Sequence, residues 1–146
     1  MKIIHKIKTI GEIVRIRDEV HLNPAWQRGP VWSASKQALL IDSILRGYDI
    51  AMIYLREIAP NAGYKYEVVD GQQRLRSIWN FIDGEISLPK DFDNVGKFDI
   101  RDKKYFELSK TLRDRFTRFR VVVAFVDDAH EPEVSRLFSR MQMCVR

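Results

Sequence analysis

The spacing of hydrophobic positions changes abruptly near the middle of the chain. Tyr66, Val68 and Val69 form a pattern typical of a buried strand. From residue 75 onward, apolar residues recur at the three- and four-residue spacing of one helix face. These helical positions are Leu75, Ile78, Trp79 and Ile82. The polar residues between the two patterns, Asp70 to Arg74, are therefore predicted to form a strand-to-helix turn.

The same periodicities and their cap residues predict four further helices and three further strands. The first predicted helix begins at Thr9 and ends near Arg17, and the second extends from about Ala34 to Arg46, between Ser33 and Gly47. The third follows Ser109, and the fourth carries Pro132 in its first turn. The predicted strands are Glu19 to Leu22, Ile50 to Arg56 and Arg120 to Val126, the last buried on both faces because of its Val121-Val122-Val123 run. The expected inward residues are Leu40, Ile41, Ile44, Leu45 and Tyr48 in the second helix and Val134, Leu137, Phe138 and Met141 in the last. Residues 89–97 are expected to form a loop.

The turn at Asp70 to Arg74 has the chemistry of an anion site. The first backbone N–H groups of a helix lack intrahelical acceptors, and the helix dipole adds partial positive charge there. Gly71 allows close backbone approach, and Arg74 places a cation in the first turn. If the bound anion is a nucleotide that is hydrolysed, the mechanism is electrostatic, with Arg74 holding phosphate and Asp70 holding magnesium or orienting water.

A structural alternative for the same turn stays open. Asp70 could be an N-cap that accepts from the amides of Gln72 or Gln73, with Gly71 serving the turn and Arg74 solvated. This alternative does not explain why two glutamines and an arginine, which are hydrogen-bond donors and not core residues, follow one another at the turn. Those side chains are the residues that a ligand site would use.

A second polar and aromatic segment lies upstream at residues 23–33. Its two prolines and its glycine exclude a regular helix. Arg28 can bind phosphate oxygens through a bidentate fork, and a tryptophan can stack on a base or on that guanidinium. The segment could therefore cover a nucleotide, with Gln27 beside Arg28. The alternative is a surface loop that Trp26 and Trp32 anchor in the core.

The order of these motifs resembles a known family. Pro24-Ala25-Trp26-Gln27-Arg28 is followed by Trp32, a helix that contains residues 40–47, a short strand and the run Asp70 to Leu75. The arrangement, from about Ile10 to the last residue, is similar to the DGQQR domain, domain-of-unknown-function family 262. That domain is found at the N-terminus of GmrSD-type modification-dependent restriction enzymes and phosphorothioate-sensing anti-phage proteins.

The resemblance implies a fold and a nucleotide site. The implied fold is a single α+β domain with a small mixed sheet and several helices, similar to the ParB N-terminal domain and to sulfiredoxin. The implied function is nucleoside triphosphate binding or hydrolysis together with DNA sensing in an anti-phage restriction system, with Mg²⁺ as a candidate companion ion. The implied nucleotide-binding residues are Gln27, Arg28, Gly71, Gln72, Gln73 and Arg74.

In the restriction relatives a separate HNH-type domain cuts DNA. No effector or nuclease domain is expected within residues 1–146, so nuclease activity is expected to reside in a partner domain or protein. A second function class stays open beside the first. In it the chain is a catalytically inert DNA-binding or protein-docking module with the same fold.

Composition limits the number of domains, the cellular location and the kinds of site that this chain can have. A chain of 146 residues suits one globular domain, and no apolar run approaches the length of a membrane helix. Residues 1–8 alternate Lys and His with Ile and lack a signal-peptide core, so a cytoplasmic protein is expected. The single cysteine, Cys144, excludes an internal disulfide. The histidines lack metal-ligand spacing and no Walker-type loop occurs, so no metal site is predicted among them.

Positive charge is concentrated in residues 101–120. This segment holds eight Lys or Arg against three Asp or Glu, an excess equal to the whole-chain net charge of +5. Electrostatic attraction to DNA would therefore come mainly from here. The candidate DNA-binding residues are Lys103, Lys104, Arg113 and Arg115. The alternative is a solvated helix face, with the interleaved aromatic residues in the core: Tyr105, Phe106, Phe116 and Phe119.

Overall fold

A computed structural model describes residues 2–22, 31–59, 63–127 and 131–144. The strands are β1 (Lys2–Thr9), β2 (Val20–His21), β3 (Ile53–Glu57), β4 (Tyr66–Asp70) and β5 (Arg120–Asp127). The helices are α1 (Ile10–Arg15), α2 (Ala34–Leu45), α3 (Gln72–Ile82), α4 (Lys110–Arg118) and α5 (Glu131–Cys144). Two short 3₁₀ turns cover Arg17–Glu19 and Tyr105–Glu107. Every predicted helix and strand is present, with ends shifted by a few residues.

The strands form one mixed sheet in the order β1-β5-β3-β4-β2. β1 is antiparallel to β5, β5 is parallel to β3, β3 is antiparallel to β4, and β4 is parallel to β2. This mixed sheet with five helices confirms the α+β class. The edge strand β1 was not predicted from the sequence, because its alternating lysines and isoleucines resemble an exposed terminal segment.

The main hydrophobic core lies on one face of the sheet. Helices α1 to α4 contribute to it, and its fully buried side chains include Ile10, Ile41, Ile78, Phe81 and Phe116. Side chains alternate across a strand, so residues next to core positions face the opposite side. On that opposite side α5 contacts β4. Among the described residues, the buried hydrophobic side chains outside the main core are Val69, Ala124, Val126 and Val134.

Two burial predictions are wrong. Val122 was expected inside, yet it is 37% exposed beside its β1 partner Ile7, which is 64% exposed. In the described part of the chain, the main sheet contact of α5 is with β4, so Val122 has less cover than Val121 and Val123 on the core face. Tyr48 was also expected to face inward and is 61% exposed. Helix α2 ends at Leu45, and Gly47 at φ +80° turns the chain before Tyr48 can continue the apolar face.

The predicted capping box at the start of α1 is formed. The Thr9 hydroxyl accepts from the Glu12 amide at 3.2 Å, and Glu12 Oε1 accepts from the Thr9 amide at 3.0 Å. This backbone hydrogen bond lowers the pKa of Glu12 below its ordinary value. The reciprocal bonds fix the point where β1 turns into α1.

Replacing Thr9 with alanine is expected to lower the free energy of unfolding by about 1 kcal/mol, because the Glu12 amide loses its acceptor. Thr9→Ser keeps the hydroxyl and serves as the control, with a loss well below that of alanine. Urea denaturation measures both. Equal losses in the two variants would show that the hydroxyl bond does not stabilise α1.

Candidate functional site

The strand-to-helix turn at residues 70–74 is present as predicted. β4 ends at Asp70, Gly71 is the N-cap of α3, and the helix begins at Gln72. In the described part of the chain no side chain caps this helix start. The alternative in which Asp70 is the N-cap is therefore wrong. Asp70 stays in the strand, opposite Tyr54 of β3, and Gly71 takes the cap position.

Gly71 is required by two independent constraints. Its φ is +110°, a region that residues with a Cβ rarely adopt. A Cβ built at this position would lie 3.1 Å from Ile53 Cγ1 and 3.3 Å from Arg74 Nη2. The turn therefore combines an unusual backbone angle with a close approach to β3 and to the arginine of the same motif.

The backbone of the turn leaves donors without intrahelical acceptors. The first helical hydrogen bond of this turn runs from the Leu75 amide to the Gly71 carbonyl at 3.0 Å. The N–H groups of Gln72, Gln73 and Arg74 precede it and have no carbonyl four residues earlier inside the helix. They lie at the positive end of an eleven-residue helix dipole.

The two glutamine side chains bind within the protein. Gln72 is buried, and its Nε2 donates to the Val68 carbonyl at 3.2 Å. Gln73 Oε1 accepts from the Trp32 amide at 3.0 Å. Gln73 Nε2 is also buried, and within the described residues it has no hydrogen-bond partner. Both glutamines thus have structural bonds, and among the described residues Gln73 Nε2 remains a donor without an acceptor.

Arg74 folds back over the turn. Its Nη2 donates to the Met52 carbonyl at 2.8 Å and lies 3.6 Å from Asp70 Oδ2. The side chain is 16% exposed, so the expectation of a solvated arginine in the cap alternative is wrong. Burial lowers the pKa of Arg74, and the nearby Asp70 carboxylate opposes that shift. Arg74 Nε is buried without a partner among the described residues.

The upstream segment and the turn meet at Trp32. Its amide binds Gln73, and its carbonyl accepts from Gln37 Nε2 at 3.1 Å. Gln37 Oε1 in turn accepts from Asn80 Nδ2 at 3.0 Å. Sequence analysis missed this connection. The available signal was one polar residue next to an apolar position on each helix: Gln37 before Ala38, and Asn80 between Trp79 and Phe81.

Other predicted residues of the upstream segment, Trp26, Gln27 and Arg28, lie outside the described residues. The end of that segment is nevertheless fixed by two helices, since α3 holds the Trp32 amide and α2 holds its carbonyl. The two motifs that sequence analysis singled out are therefore adjacent in space at this point.

Replacing Gln73 with alanine is expected to speed hydrogen exchange of the Trp32 amide by about tenfold or more, because that amide loses its acceptor. Gln72→Ala is the matched control, since it breaks a bond to Val68 and leaves Trp32 bound. Exchange followed by NMR measures both. Unchanged exchange at Trp32 in Gln73→Ala would disprove the link.

The structure places the candidate DNA-binding residues on two elements. Lys103 and Lys104 precede the 3₁₀ turn at Tyr105–Glu107, whereas Arg113 and Arg115 lie on α4. Arg113 donates to the Leu108 carbonyl, and Arg115 donates to the Leu45 carbonyl at 3.3 Å. The two arginines thus have bonds inside the domain.

The other charged and aromatic side chains of residues 101–120 lie partly at the surface and partly in the core. Arg101 pairs with Asp99 at 3.0 Å, and Lys110 pairs with Asp114 at 2.8 Å. Phe116 is fully buried, as the core alternative predicts. Phe106 is 72% exposed, which contradicts a core position for that ring. It packs edge-on against Tyr105 at the surface instead.

Metal and membrane features are absent from the described part of the chain. No group of three His, Cys, Asp or Glu side chains there converges as a metal site. Among the same residues, no helix has the length and apolar character needed to cross a bilayer.

These features define a small α+β domain in which an uncapped helix start, a glycine and a buried arginine meet at the end of a strand. The chain belongs to the family of GmrSD restriction endonuclease N-terminal domains, whose sequence model matches residues 10–142. It is thereby a restriction-system component. Searches of curated proteins and of solved structures gave no match. The relation to the ParB and sulfiredoxin folds stays a prediction.

Proposed function

We propose that this domain binds a nucleoside triphosphate at the turn formed by Asp70 to Arg74, hydrolyses it, and senses DNA for a restriction system. The observation that carries the proposal is the helix start itself. Gly71 opens α3 without a side-chain cap in the described structure, and a charged arginine lies within the same turn. Membership of the restriction family supports the cellular setting.

The backbone of the turn suits a phosphate group. The amides of Gln72, Gln73 and Arg74 lack helical acceptors, and a phosphate supplies several acceptor oxygens at once. The absence of a Cβ at Gly71 leaves room beside the turn for Ile53 and for the Arg74 guanidinium. Gln73 Nε2 adds a donor that has no partner in the described part of the chain.

Arg74 supplies the charge that phosphoryl transfer requires. A guanidinium has five N–H donors, and the described residues offer this one a carbonyl at 2.8 Å and a carboxylate oxygen at 3.6 Å. The remaining donors can bind phosphate oxygens and stabilise negative charge that develops in the transition state. Its anchor on Met52 orients the group before the substrate arrives.

Asp70 is the candidate partner for a metal ion or for water. Its side chain is 24% exposed, next to the cation of Arg74. Mg²⁺ commonly binds one or two carboxylates and completes its shell with phosphate oxygens and water. One aspartate at the turn is therefore enough for a substrate-bound Mg²⁺. In the same position the carboxylate can orient the attacking water.

The upstream segment is proposed to cover the nucleotide. Gln27 and Arg28 are the candidate contacts, and the hydrogen bond between Trp32 and Gln73 ties the end of their segment to the turn. A covering segment excludes water from the phosphates, which strengthens the electrostatic interactions of the site.

The direct test is calorimetric titration of the protein with ATP, GTP and CTP in the presence of Mg²⁺, followed by a phosphate-release assay. Saturable binding of at least one nucleotide and release of phosphate are expected. Binding without phosphate release would remove hydrolysis from the proposal. No binding by any of the three would overturn the nucleotide site.

A second candidate function is a catalytically inert DNA-binding or protein-docking module. The internal bonds of Gln72, Gln73 and Arg74 favour it, because a motif that holds Val68, Trp32 and Met52 has a structural purpose of its own. In that case the turn holds a DNA phosphate or no ligand.

Replacing Lys103 and Lys104 together with glutamine is expected to weaken DNA binding and to reduce the salt slope by about 2, because each phosphate contact contributes about 0.9 to the slope. The two lysines are better targets than Arg113 and Arg115, whose loss also removes bonds within the fold. The control pair is the exposed Lys90 and Lys97, replaced in the same way.

The measurement is fluorescence anisotropy of a duplex at several salt concentrations. An unchanged slope in the Lys103 and Lys104 double variant, with unchanged affinity, would remove this segment from the DNA-binding surface. Equal losses in the control pair would show that only net charge matters.

A further inference from the structure

A concave site lies between the sheet and the helices α1 and α3, next to the turn at residues 70–74 but lined by other residues. It is a cavity of about 200 Å³. Its wall is formed mainly by aliphatic side chains of α1, α3 and the sheet. These include Ile13, Ile16, Ile53, Leu55, Leu75 and Val123. No residue of the motif Asp70 to Arg74 lines it. Ile53 and Leu75 of its wall adjoin the turn, so the proposed phosphate site and the cavity are neighbours with different linings.

Three aromatic side chains complete the wall: Tyr66, Trp79 and Phe125. Tyr66 and Phe125 meet edge to face with ring centroids 5.6 Å apart. Aromatic walls favour planar rings, which gain stacked or edge-on contacts beyond the burial of their area. An apolar cavity of about 150 Å³ is known to accept benzene, so this larger cavity has room for a fused pair of rings.

Three charged side chains, from β1 and from both ends of α1, also line the cavity. Lys8, Glu12 and Arg15 are the three, which gives two cations against one carboxylate. Glu12 Oε1 already accepts from the Thr9 amide and hydroxyl. Among the described residues, the ion pairs found include neither Lys8 nor Arg15. The cavity therefore combines an apolar interior with one surplus positive charge.

We propose that this cavity is a binding site for a small aromatic carboxylate. The ring system occupies the apolar interior against Trp79 and Phe125, and the carboxylate remains beside Lys8 and Arg15. One negative charge matches the surplus of the charged residues, whereas a neutral ring leaves Lys8 and Arg15 with the single Glu12 carboxylate as their shared charged neighbour. The proposal is independent of the nucleotide site.

The probe is 2-naphthoate, with 2-naphthamide as the neutral molecule of the same shape. Calorimetry and ligand-observed NMR with the full chain are expected to show saturable binding of 2-naphthoate, and binding about tenfold weaker for the amide. Equal affinity for both molecules would overturn the carboxylate part of the proposal. No binding of 2-naphthoate would overturn the proposal as a whole.

Substitutions of residues that line the cavity test whether 2-naphthoate binds there. Replacing both Lys8 and Arg15 with glutamine is expected to weaken 2-naphthoate about tenfold and to leave 2-naphthamide unchanged. Lys90→Gln, at an exposed residue that does not line the cavity, is the control and should change neither. Ile13→Trp is expected to fill the cavity and to abolish binding of both molecules. If that variant unfolds, the variant with glutamine at positions 8 and 15 still tests whether 2-naphthoate binds in the cavity.

Competition separates this site from the nucleotide site. ATP, GTP and CTP are expected not to displace 2-naphthoate, and Arg74→Ala is expected to bind 2-naphthoate as the natural chain does. Displacement by a nucleotide together with loss of 2-naphthoate binding in Arg74→Ala would assign the cavity to the nucleotide and overturn a separate site. Failure of nucleotide binding alone leaves these results unaffected.

Discussion

Arg74→Ala is expected to weaken nucleotide binding by about a hundredfold or more. The substitution removes the only cation of the first turn of α3 together with its charged donors to phosphate oxygens, each worth about 1.5–3 kcal/mol. The backbone amides of the turn remain. Calorimetric titration with the nucleotide that the natural chain binds measures the loss, and phosphate release is expected to fall with it.

Arg74→Ala also has a structural cost that must be separated from lost binding. The variant leaves the Met52 carbonyl without its guanidinium donor. Arg46 offers a matched control, because it too pairs with an aspartate four residues earlier, Asp42 at 2.9 Å, and donates to backbone carbonyls. Arg46→Ala should therefore lose stability to a similar extent, about 2 kcal/mol, yet bind nucleotide normally.

Two outcomes would contradict the assignment of Arg74. Nucleotide affinity that persists in Arg74→Ala would remove it from the site. A loss of affinity that is equal in Arg46→Ala would attribute the effect to destabilisation of the fold. Denaturation curves of both variants ensure that the titrations are made on folded protein.

Gly71→Ala is expected to lower the free energy of unfolding by about 3 kcal/mol. A φ of +110° costs a residue with a Cβ about 1–2 kcal/mol, and the new methyl group would lie 3.1 Å from Ile53 Cγ1. Any shift that relieves this contact also moves the amides of the turn. Nucleotide binding is therefore expected to weaken in the same variant.

Gly84→Ala isolates the contribution of the backbone angle. Gly84 also has a positive φ, +76°, but a Cβ there meets nothing within 4 Å. Its substitution is expected to cost about 1 kcal/mol and to leave nucleotide binding unchanged. Urea denaturation compares the two. If both glycines gave the same loss, the close approach of Ile53 and Arg74 to Gly71 would be unimportant.

The junction could be located from sequence for a local reason. The change of period at residues 66–82 fixes a strand and a helix, and Gly71 supplies the turn between them. Neither conclusion needs distant contacts. The same holds for the capping box of Thr9 and Glu12, whose two partners are three residues apart.

The hydrogen-bond partners of the polar side chains could not be predicted from local sequence patterns. The bonds of Gln73 to Trp32 and of Arg74 to Met52 join residues 41 and 22 positions apart. A periodic pattern shows that a side chain is polar or apolar, not which distant backbone group it meets. The sequence therefore left Arg74 open as a ligand group or a solvated residue, and only packing placed it at 16% exposure.

By itself the sequence determined the position of each predicted helix and strand and the turn where strand becomes helix, because these follow from local hydrophobic period and cap chemistry. The α+β class came from the family resemblance that the motifs carry. The tertiary structure decided the mixed strand order, the place of β1 beside β5, and the contact between the upstream segment and α3. Those features depend on which surfaces bury each other across the chain. That is also why Val122 and Tyr48, apolar by pattern, remain exposed in the part of the chain that the structure describes.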